Sequence, residues 1–345
     1  RDEKTSRQTM ATKKTGHKSR KRIIEGIRYS AGIIVVIIIA WFLVSALLKN
    51  WQSLVENMKG FSWVWLAVSI LLLTLAQLLQ AIIWRDILAR LKARMGMLQA
   101  LRIRSVSELG RYTPGKVWHV LGRTYFAKRM RIPSRTTIAS IFIELLFTML
   151  SAALVFLILS PDVLRISKSL VWPAAMIALL AVLLMRFDIF TRMMDWAVRK
   201  IKKKDYPATG ISLPFTQKIK LLACYALNWG MIGASFFFVV KSFYPSAGYS
   251  ELPAIIGGYS IAWVLGFVTL LTPGGLGVRE GLLTLLLTHM GMVPLSIAVV
   301  APVMMRIIAI IVNVILVLAT LGVEIPDMRQ EESRKDKKRI NKGSK

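Results

Sequence analysis

Long apolar runs separated by charge-rich stretches dominate the pattern along this chain. A helix needs about 20 apolar residues to cross a hydrocarbon core about 30 Å thick, so each such run predicts a transmembrane helix. The runs are continuous, whereas an outer-membrane strand alternates between apolar and polar residues, so the fold is predicted to be all-α. Six runs are clear, at residues 30–48, 62–83, 136–160, 170–185, 221–240 and 252–271.

The last apolar stretch predicts two further spans. Residues 281–303 and 307–323 are rich enough in apolar side chains for two helices. Proline interrupts helices, so we expect a tight hairpin between them, with its break near Pro302 and Arg306. The predicted fold is a polytopic helical membrane bundle of about eight transmembrane helices.

The positive charges test this arrangement. Cytoplasmic segments of membrane proteins are enriched in Lys and Arg. With eight spans and a cytoplasmic N-terminus, the segments predicted to be inside hold 41 of the 47 Lys and Arg residues. Seven spans would place the basic C-terminal tail outside, against the rule. We therefore expect a multi-pass protein of the cell membrane with both termini in the cytoplasm. The inside segments are residues 1–29, 84–135, 186–220, Arg279 and residues 324–345.

Composition divides the chain into a membrane domain and two charged tails. A mean hydropathy of +0.55 with 55% hydrophobic residues excludes an ordinary soluble domain. Residues 1–29 are predicted to form a disordered basic cytoplasmic tail, residues 30–323 the membrane domain, and residues 324–345 a second charged cytoplasmic tail. The net charge of +29 lies mainly in segments that topology makes basic. We therefore expect no nucleic-acid partner.

Residues 101–127 combine apolar character with many charges, which is unusual for a plain cytoplasmic loop. Arg104, Glu108 and Arg111 share one face of a helix, and Pro114-Gly115 then breaks that helix. The pattern predicts a re-entrant element whose new helix N-terminus binds an anion. A basic amphipathic helix on the inner membrane surface is the alternative. The residues expected to complement a phosphate are Arg111, Lys116 and Arg123.

A second break lies in TPGGLGVREG, residues 272–281. One proline and three glycines in five positions are incompatible with a regular helix, so the backbone must open there. Glycine allows a ligand or a helix to approach closely, and an Arg and a Glu at membrane depth are costly unless partnered or functional. The alternative is a simple tight turn between two spans. The residues concerned are Pro273, Gly274, Gly275, Gly277, Arg279 and Glu280.

Two more charges stand inside apolar runs, Glu144 in SIFIELLFTML and Arg306 in VMMRIIAII. Both are expected to face the bundle interior, because charges are expensive in lipid. A carboxylate and a guanidinium in such places commonly pair, either structurally or as part of a substrate or proton path. The sequence does not show whether these two meet.

Enzyme signatures are mostly missing from the sequence. The three histidines, His17, His119 and His289, match no metal-binding spacing, and no Walker-type loop occurs. Cys224 is the single cysteine, which excludes an internal disulfide. We expect no metal and no cofactor, and a protein that is not itself an enzyme is favoured.

The motifs ELGRYTPGKVWHVLGR and TPGGLGVREG, with Glu144 between them, resemble the transmembrane region of lysylphosphatidylglycerol synthases, also called the flippase-like domain family. The resemblance covers about residues 28–323. In the bifunctional members, the multiple peptide resistance factors, the membrane part is thought to move aminoacylated phosphatidylglycerol, which a cytoplasmic domain makes. About twenty polar residues follow the last predicted span here, so we expect no synthase domain in this chain.

The resemblance implies a translocase-like protein for an anionic phospholipid or a polyprenyl-phosphate-linked envelope precursor, with a lipid-modifying enzyme as a further partner. One alternative is a membrane subunit of a phosphatidylglycerol lysyltransferase or a lipid glycosyltransferase. Another is a membrane scaffold that transports nothing. The predicted substrate-binding residues are Arg111, Lys116, Arg123, Gly274, Gly275, Gly277, Arg279 and Glu280.

Overall fold

The computed structural model describes residues 60–110, 118–160, 213–268, 277–289 and 291–323, and the single positions Trp41, Ser45, Met176 and Leu179. These residues form helices, turns and irregular segments but no strand, so the all-α prediction is confirmed. Apart from those single positions, the predicted spans at residues 30–48 and 170–185 lie outside the described residues, as do both terminal tails.

Five segments of the described chain are long and apolar enough to cross a membrane. They confirm the predicted spans near residues 62–83, 136–160, 221–240 and 252–271, although most of them extend beyond the apolar run by several residues. Helices continue into polar sequence at their ends because backbone hydrogen bonding does not depend on side-chain polarity. The long helices are α1 (Trp63–Arg90), α4 (Ser134–Leu159), α5 (Phe215–Phe243), α6 (Leu252–Val268) and α8 (Leu295–Ala319). A 3₁₀ turn, Tyr249–Glu251, precedes α6.

Three of the helices in the described part of the chain are too short to cross a bilayer alone. They are α2 (Met97–Leu109), α3 (Trp118–Arg129) and α7 (Val278–His289). A 12-residue helix is about 18 Å long, well under the thickness of the hydrocarbon core. Helices α2 and α3 pack on each other as one hairpin, and α6 and α7 pack on each other as a second. The two predicted breaks, at Pro114-Gly115 and at Pro273 to Gly275, lie outside the described residues, between the two helices of each hairpin in sequence.

The predicted break near Pro302 and Arg306 is wrong. Helix α8 runs through both residues, and its break from α7 lies earlier, before Pro294. Gly291 has a φ of +62°, a conformation that favours glycine and ends α7, while Pro294 caps the start of α8. Pro302 is tolerated inside α8 because membrane helices accommodate proline when neighbouring groups compensate the lost hydrogen bond.

Contacts between helix termini define the two ends of the bundle. At the end we call the Ser62 end, the Ser62 N–H donates to the Ser242 carbonyl at 2.9 Å, and the Ser160 hydroxyl donates to the Ala254 carbonyl at 3.3 Å. At the opposite end, the Arg90 end, Arg102 donates to carbonyls just beyond α8. Helices α4 and α5 therefore both end at the Ser62 end, whereas α1, α6 and α8 begin there.

The two hairpins enter the bundle from opposite ends. Helix α2 follows the last turn of α1, and Ala93, Ala100, Ala127 and Ile132 share one core cluster at the Arg90 end. Helix α6 instead starts at the Ser62 end, beside Ser160. The Thr284 hydroxyl of α7 donates to the Ala298 carbonyl near the start of α8, which shows that α7 runs back toward the same end. The tips of both hairpins therefore point toward the middle of the bundle.

Glycine permits the close packing of α5 on α6. A Cβ added at Gly233 would lie 2.6 Å from the Cα of Ile256, whereas a Cβ at Gly230, one turn earlier on α5, would meet nothing within 4 Å. Overpacking typically costs about 1–3 kcal/mol. We expect Gly233→Ala to lower the free energy of unfolding by that amount, measured by SDS unfolding in mixed micelles. Gly230→Ala is the matched control, and equal stability of the two variants would contradict the close approach.

Candidate functional site

Two arginines and two glutamates form a buried network between the first hairpin and the long helices. Arg104 of α2 and Arg123 of α3 each bind one oxygen of Glu144 on α4, the Arg123 contact being 2.5 Å. Glu108 lies 3.6 Å from Arg104 and 3.5 Å from Arg123. Gln80 of α1 accepts a further hydrogen bond from Arg104. All four charged side chains are buried.

The network balances its own charge and fastens the hairpin to α4. An isolated buried charge is very costly, but paired and hydrogen-bonded charges in low dielectric offset much of that cost. The Arg123 guanidinium also stacks over the ring of Trp84, 4.9 Å from its centroid. The i, i+4 spacing of Arg104 and Glu108 places both on one face of α2, which is why the sequence could anticipate their proximity.

A second ion pair holds the tip of the other hairpin. Glu280, in the first turn of α7, lies 2.7 Å from Arg306 of α8, and both side chains are buried. The other Glu280 oxygen accepts a hydrogen bond from the Gly277 N–H at 2.8 Å. Gly277 has a φ of +83°, which explains the glycine there. A carboxylate in the first turn also faces the positive end of the helix dipole.

Arg279 turns away from Glu280 and toward α6. Its guanidinium donates to the Tyr259 hydroxyl and stacks over the Tyr259 ring at 4.5 Å. Gly266 lies against the Arg279 stem, where an added Cβ would be 3.2 Å from the arginine Cβ. The tip of α7 is therefore locked onto α6 while its guanidinium stays beside the cavity described next.

The two hairpin tips meet around a cavity of about 110 Å³. Glu108 and His119 come from the first hairpin, and Gly266 and Arg279 from the second. His119 and Arg279 lie in the first turns of α3 and α7, so the positive dipole ends of both helices lie near this space. Its other polar lining comes from the long helices: Gln77, Gln80, Tyr259, Arg306 and Asn313.

A larger cavity of about 310 Å³ adjoins the first. It reaches Arg104, Arg123 and Glu144 at one side. On α4 it is edged by Ile138 and Phe142, which are 36% and 44% exposed and face away from the protein core. Two residues of its lining therefore also contribute to the apolar outer surface of the bundle. The two cavities share the side chains of Gln80, His119, Trp229, Ile232, Trp263 and Phe267.

The predicted binding residues fall into three groups. Arg123 lines the larger cavity and Arg279 the smaller one. Glu280 and Gly277 lie at the tip of α7, where Glu280 pairs with Arg306 and accepts a hydrogen bond from the Gly277 N–H. The remaining four predicted residues lie outside the described residues: Arg111, Lys116, Gly274 and Gly275.

Glu144 and Arg306 do not pair with each other. Both side chains are buried in the bundle, at 8% and 3% exposure. However, Glu144 pairs with Arg104 and Arg123, while Arg306 pairs with Glu280. The hairpins supply the closer partners because each inserts its own charge beside the long helix it packs on.

Sequence reasoning missed several lining residues. Gln80, Asn228 and Asn313 are polar residues within apolar runs, and that isolation was the available signal. Trp229 and Trp263 carry no such signal, because aromatic residues are common in any membrane helix. Arg104 was recognised as sharing a helix face with Glu108 but was not assigned to a site.

Comparison with known proteins adds one match. A family model described as the lysylphosphatidylglycerol synthase TM region matches residues 29–316 of the chain. Among curated proteins, none matches it. The match includes both hairpins, both cavities and every charged residue of the two ion-pair networks.

Proposed function

Because this chain belongs to the lysylphosphatidylglycerol synthase transmembrane-region family, we propose that it is a lipid translocase that binds an anionic head group between its two hairpin tips. The supporting observation is the cavity where the tips of two oppositely inserted hairpins meet. Half-helices that end at the middle of a membrane protein commonly form its substrate site.

Charge around the cavities favours an anion. Among the described residues, the charged side chains that line the cavities or pair with that lining are four arginines, Arg104, Arg123, Arg279 and Arg306, and three acids, Glu108, Glu144 and Glu280, so their formal sum is one positive charge. The helix N-termini of α3 and α7 add positive dipole ends. A phosphate taken out of water needs such fixed positive charge to replace its hydration.

A lipid has a route to this charge. The larger cavity is edged on α4 by the exposed Ile138 and Phe142, so acyl chains stay in the bilayer while the head group reaches Arg123. The adjoining smaller cavity leads toward Arg279 on the hairpin inserted from the opposite end. Head-group transfer between the cavities is the movement that we propose for translocation.

The distribution of basic residues supports one orientation. Among the described residues, the Ser62 end holds Lys241, whereas the Arg90 end is rich in Lys and Arg, so the Arg90 end is proposed to face the cytoplasm. In a Cys224→Ser background, we expect Ser250→Cys to react with a membrane-impermeant maleimide in intact cells. Arg131→Cys should react only after permeabilisation. The reverse pattern would overturn the orientation.

Arg279 provides the test of the translocase itself. Replacing it with Gln removes the positive charge beside the smaller cavity while keeping a polar side chain. We expect leaflet exchange of fluorescent phosphatidylglycerol in reconstituted liposomes to fall about 10-fold or more, because a charge-assisted hydrogen bond contributes about 1.5–3 kcal/mol.

Arg94→Gln is the matched control, because it removes the same charge from an exposed position at the Arg90 end. It should exchange lipid at the wild-type rate. Wild-type protein that exchanges no tested lipid faster than empty liposomes would contradict the proposal.

The family description names a synthase, which favours an enzyme-linked role as the second candidate. In that role the chain would be the membrane subunit of a lipid aminoacyl- or glycosyltransferase. Covalently modified lipid in the same liposomes, detected by mass spectrometry after adding a donor, would support this candidate. Exchange of unmodified lipid would support the translocase.

A further inference from the structure

Three helices within the described residues end in the same kind of turn, and two of these turns hold a charged residue where glycine is expected. The residue after the C-cap is left-handed in each: Lys92 after α1 has a φ of +58°, Arg131 after α3 has +61° and Gly291 after α7 has +62°. The pair of backbone hydrogen bonds that defines a Schellman motif closes every one of them. Glycine is the usual residue at this position because it has no Cβ.

The two charged residues are therefore strained where the glycine is not. A left-handed conformation brings the Cβ of Lys92 or Arg131 close to the following carbonyl oxygen. A cation near a helix C-terminus interacts favourably with the helix dipole, but that interaction is typically weaker than the strain. Arg90 and Arg129 already supply such cations in the last turns of α1 and α3. The charges at the two turns therefore indicate another role.

The two charged turns lie at one end of the bundle and the glycine turn lies at the other. The residues that follow the charged positions, Ala93 and Ile132, are buried in the same core cluster at the Arg90 end. Gly291 lies between α7 and α8, at the Ser62 end. The same backbone motif thus carries a cation at the Arg90 end and no side chain at the Ser62 end.

The surface around the charged turns is strongly positive. Within the described residues 84–110 and 118–135, the acids are Asp86, which pairs with Arg90 at 3.0 Å, and Glu108, which is buried in the network under the hairpin. Such a surface suits an anionic partner. The exposed basic residues in the turns or within four positions of them are Lys92, Arg94, Lys128, Arg131 and Arg135.

An apolar strip beside these charges indicates that the partner is a lipid leaflet. On α3, Leu121 and Tyr125 are exposed and precede the exposed Lys128 on the same helix face. On α4, the exposed Arg135 precedes the exposed Ile138. Because α3 ends and α4 begins at the same end of the bundle, both helices place the basic residue outermost and the apolar residues deeper. A leaflet presents charge and hydrocarbon in that order, whereas an acidic protein surface would leave the apolar strip uncovered.

We propose that the two charged turns and the outer face of α3 form a docking surface for the anionic leaflet at the Arg90 end, where Lys92 and Arg131 bind lipid phosphates. The lipid held here is a fixed contact rather than a transported substrate, so the proposal does not depend on translocase activity. Because the two turns flank the α2–α3 hairpin in sequence, this contact sets the depth of the hairpin in the membrane.

A fluorescent label on α3 tests which lipid covers this face. In the Cys224→Ser background, the full chain with Leu121→Cys is labelled with bimane and reconstituted in phosphatidylcholine. Quenching by brominated phosphatidylglycerol is compared with quenching by brominated phosphatidylcholine. Leu227→Cys is the matched control, because Leu227 is 60% exposed and, like Leu121, lies seven residues from an exposed lysine, Lys220, on a helix that bears neither charged turn.

We expect phosphatidylglycerol to be preferred about 10-fold or more at Leu121, since each basic residue near an anionic leaflet raises affinity about 5-fold. The preference at Leu227 should be markedly smaller. Lys92→Gly with Arg131→Gly should lower the Leu121 preference about 5-fold or more, while resistance to SDS unfolding stays equal or rises because glycine relieves the strain. Lys92→Arg with Arg131→Lys keeps both charges and should keep the preference.

Several results would overturn the docking surface. They are an absent preference at Leu121, an equal preference at Leu227, and a preference that survives the double glycine variant. Weak quenching of Leu121 by both lipids would also reject it and would favour a protein partner. Arg279→Gln, which tests the translocase, should leave the preference unchanged, so the two proposals fail separately. If the double glycine variant misfolds, Lys92→Asn with Arg131→Asn replaces it, because asparagine also tolerates the left-handed conformation.

Discussion

Glu144→Gln is expected to destabilise the protein strongly. The carboxylate binds two buried guanidiniums, and its loss would leave Arg104 and Arg123 to share Glu108 at 3.5–3.6 Å. Removing one partner of a buried ion pair costs about 3–5 kcal/mol. SDS unfolding in mixed micelles should therefore show a loss of that size, and leaflet exchange should stop because α2–α3 no longer docks on α4.

Asp86→Asn is the matched control for this prediction. Asp86 pairs with Arg90 at 3.0 Å, but the two side chains are 37% and 23% exposed. An exposed i, i+4 pair stabilises a helix by about 0.2–0.5 kcal/mol, so the control should be nearly neutral. Adding Arg123→Gln to Glu144→Gln restores charge balance and should recover part of the loss. A cost for Glu144→Gln no larger than that for Asp86→Asn would contradict the network.

The second large effect concerns Arg306 and its partner. Arg306→Met alone should cost about 3–5 kcal/mol, because Glu280 would then be a buried, uncompensated carboxylate. Glu280→Met should cost a similar amount. The double variant should lose only about 1 kcal/mol, since apolar replacement of a whole buried pair is often neutral and the Gly277 N–H loses its acceptor. Stability would return while lipid exchange remained impaired.

A double-mutant cycle makes the assignment quantitative. The coupling energy between Arg306 and Glu280 should reach at least about 2 kcal/mol, whereas coupling between Arg306 and Glu144 should stay within about 0.5 kcal/mol. The sequence left the second of these pairs open, and the structure forms the first. A strong Arg306–Glu144 coupling would therefore reject the ion-pair arrangement described here. Recovery of both stability and exchange in the double methionine variant would make the pair purely structural.

The contrast between these two pairs shows why the site was only partly predictable. Burial of Glu144 and Arg306 followed from their apolar surroundings, because a charge in lipid is too costly to face outward. The choice of partner depended on how the hairpins insert, which brings residues 40 and 21 positions before Glu144 into contact with it. No periodicity in one sequence encodes such a contact.

Helix boundaries show the same division. Hydropathy located the long helices, yet Pro302 was predicted to break a helix that continues through it. Proline disfavours helices locally, but surrounding helices in a membrane can satisfy the freed backbone groups. The break lies instead at Gly291, whose positive φ is permitted by the absence of a Cβ.

The sequence by itself determined the all-α class, the long membrane helices, the family and the two places where helices break. Each of these depends on local composition or on a contiguous motif, so one chain suffices to recognise it. Tertiary structure alone decided that the hairpins enter from opposite ends and that Glu280 rather than Glu144 holds Arg306. It also decided that two tryptophans line both cavities, with Asn313 in the smaller and Asn228 in the larger. Those features arise from packing between distant segments, where the burial of each charge and amide depends on what the neighbouring helix places beside it.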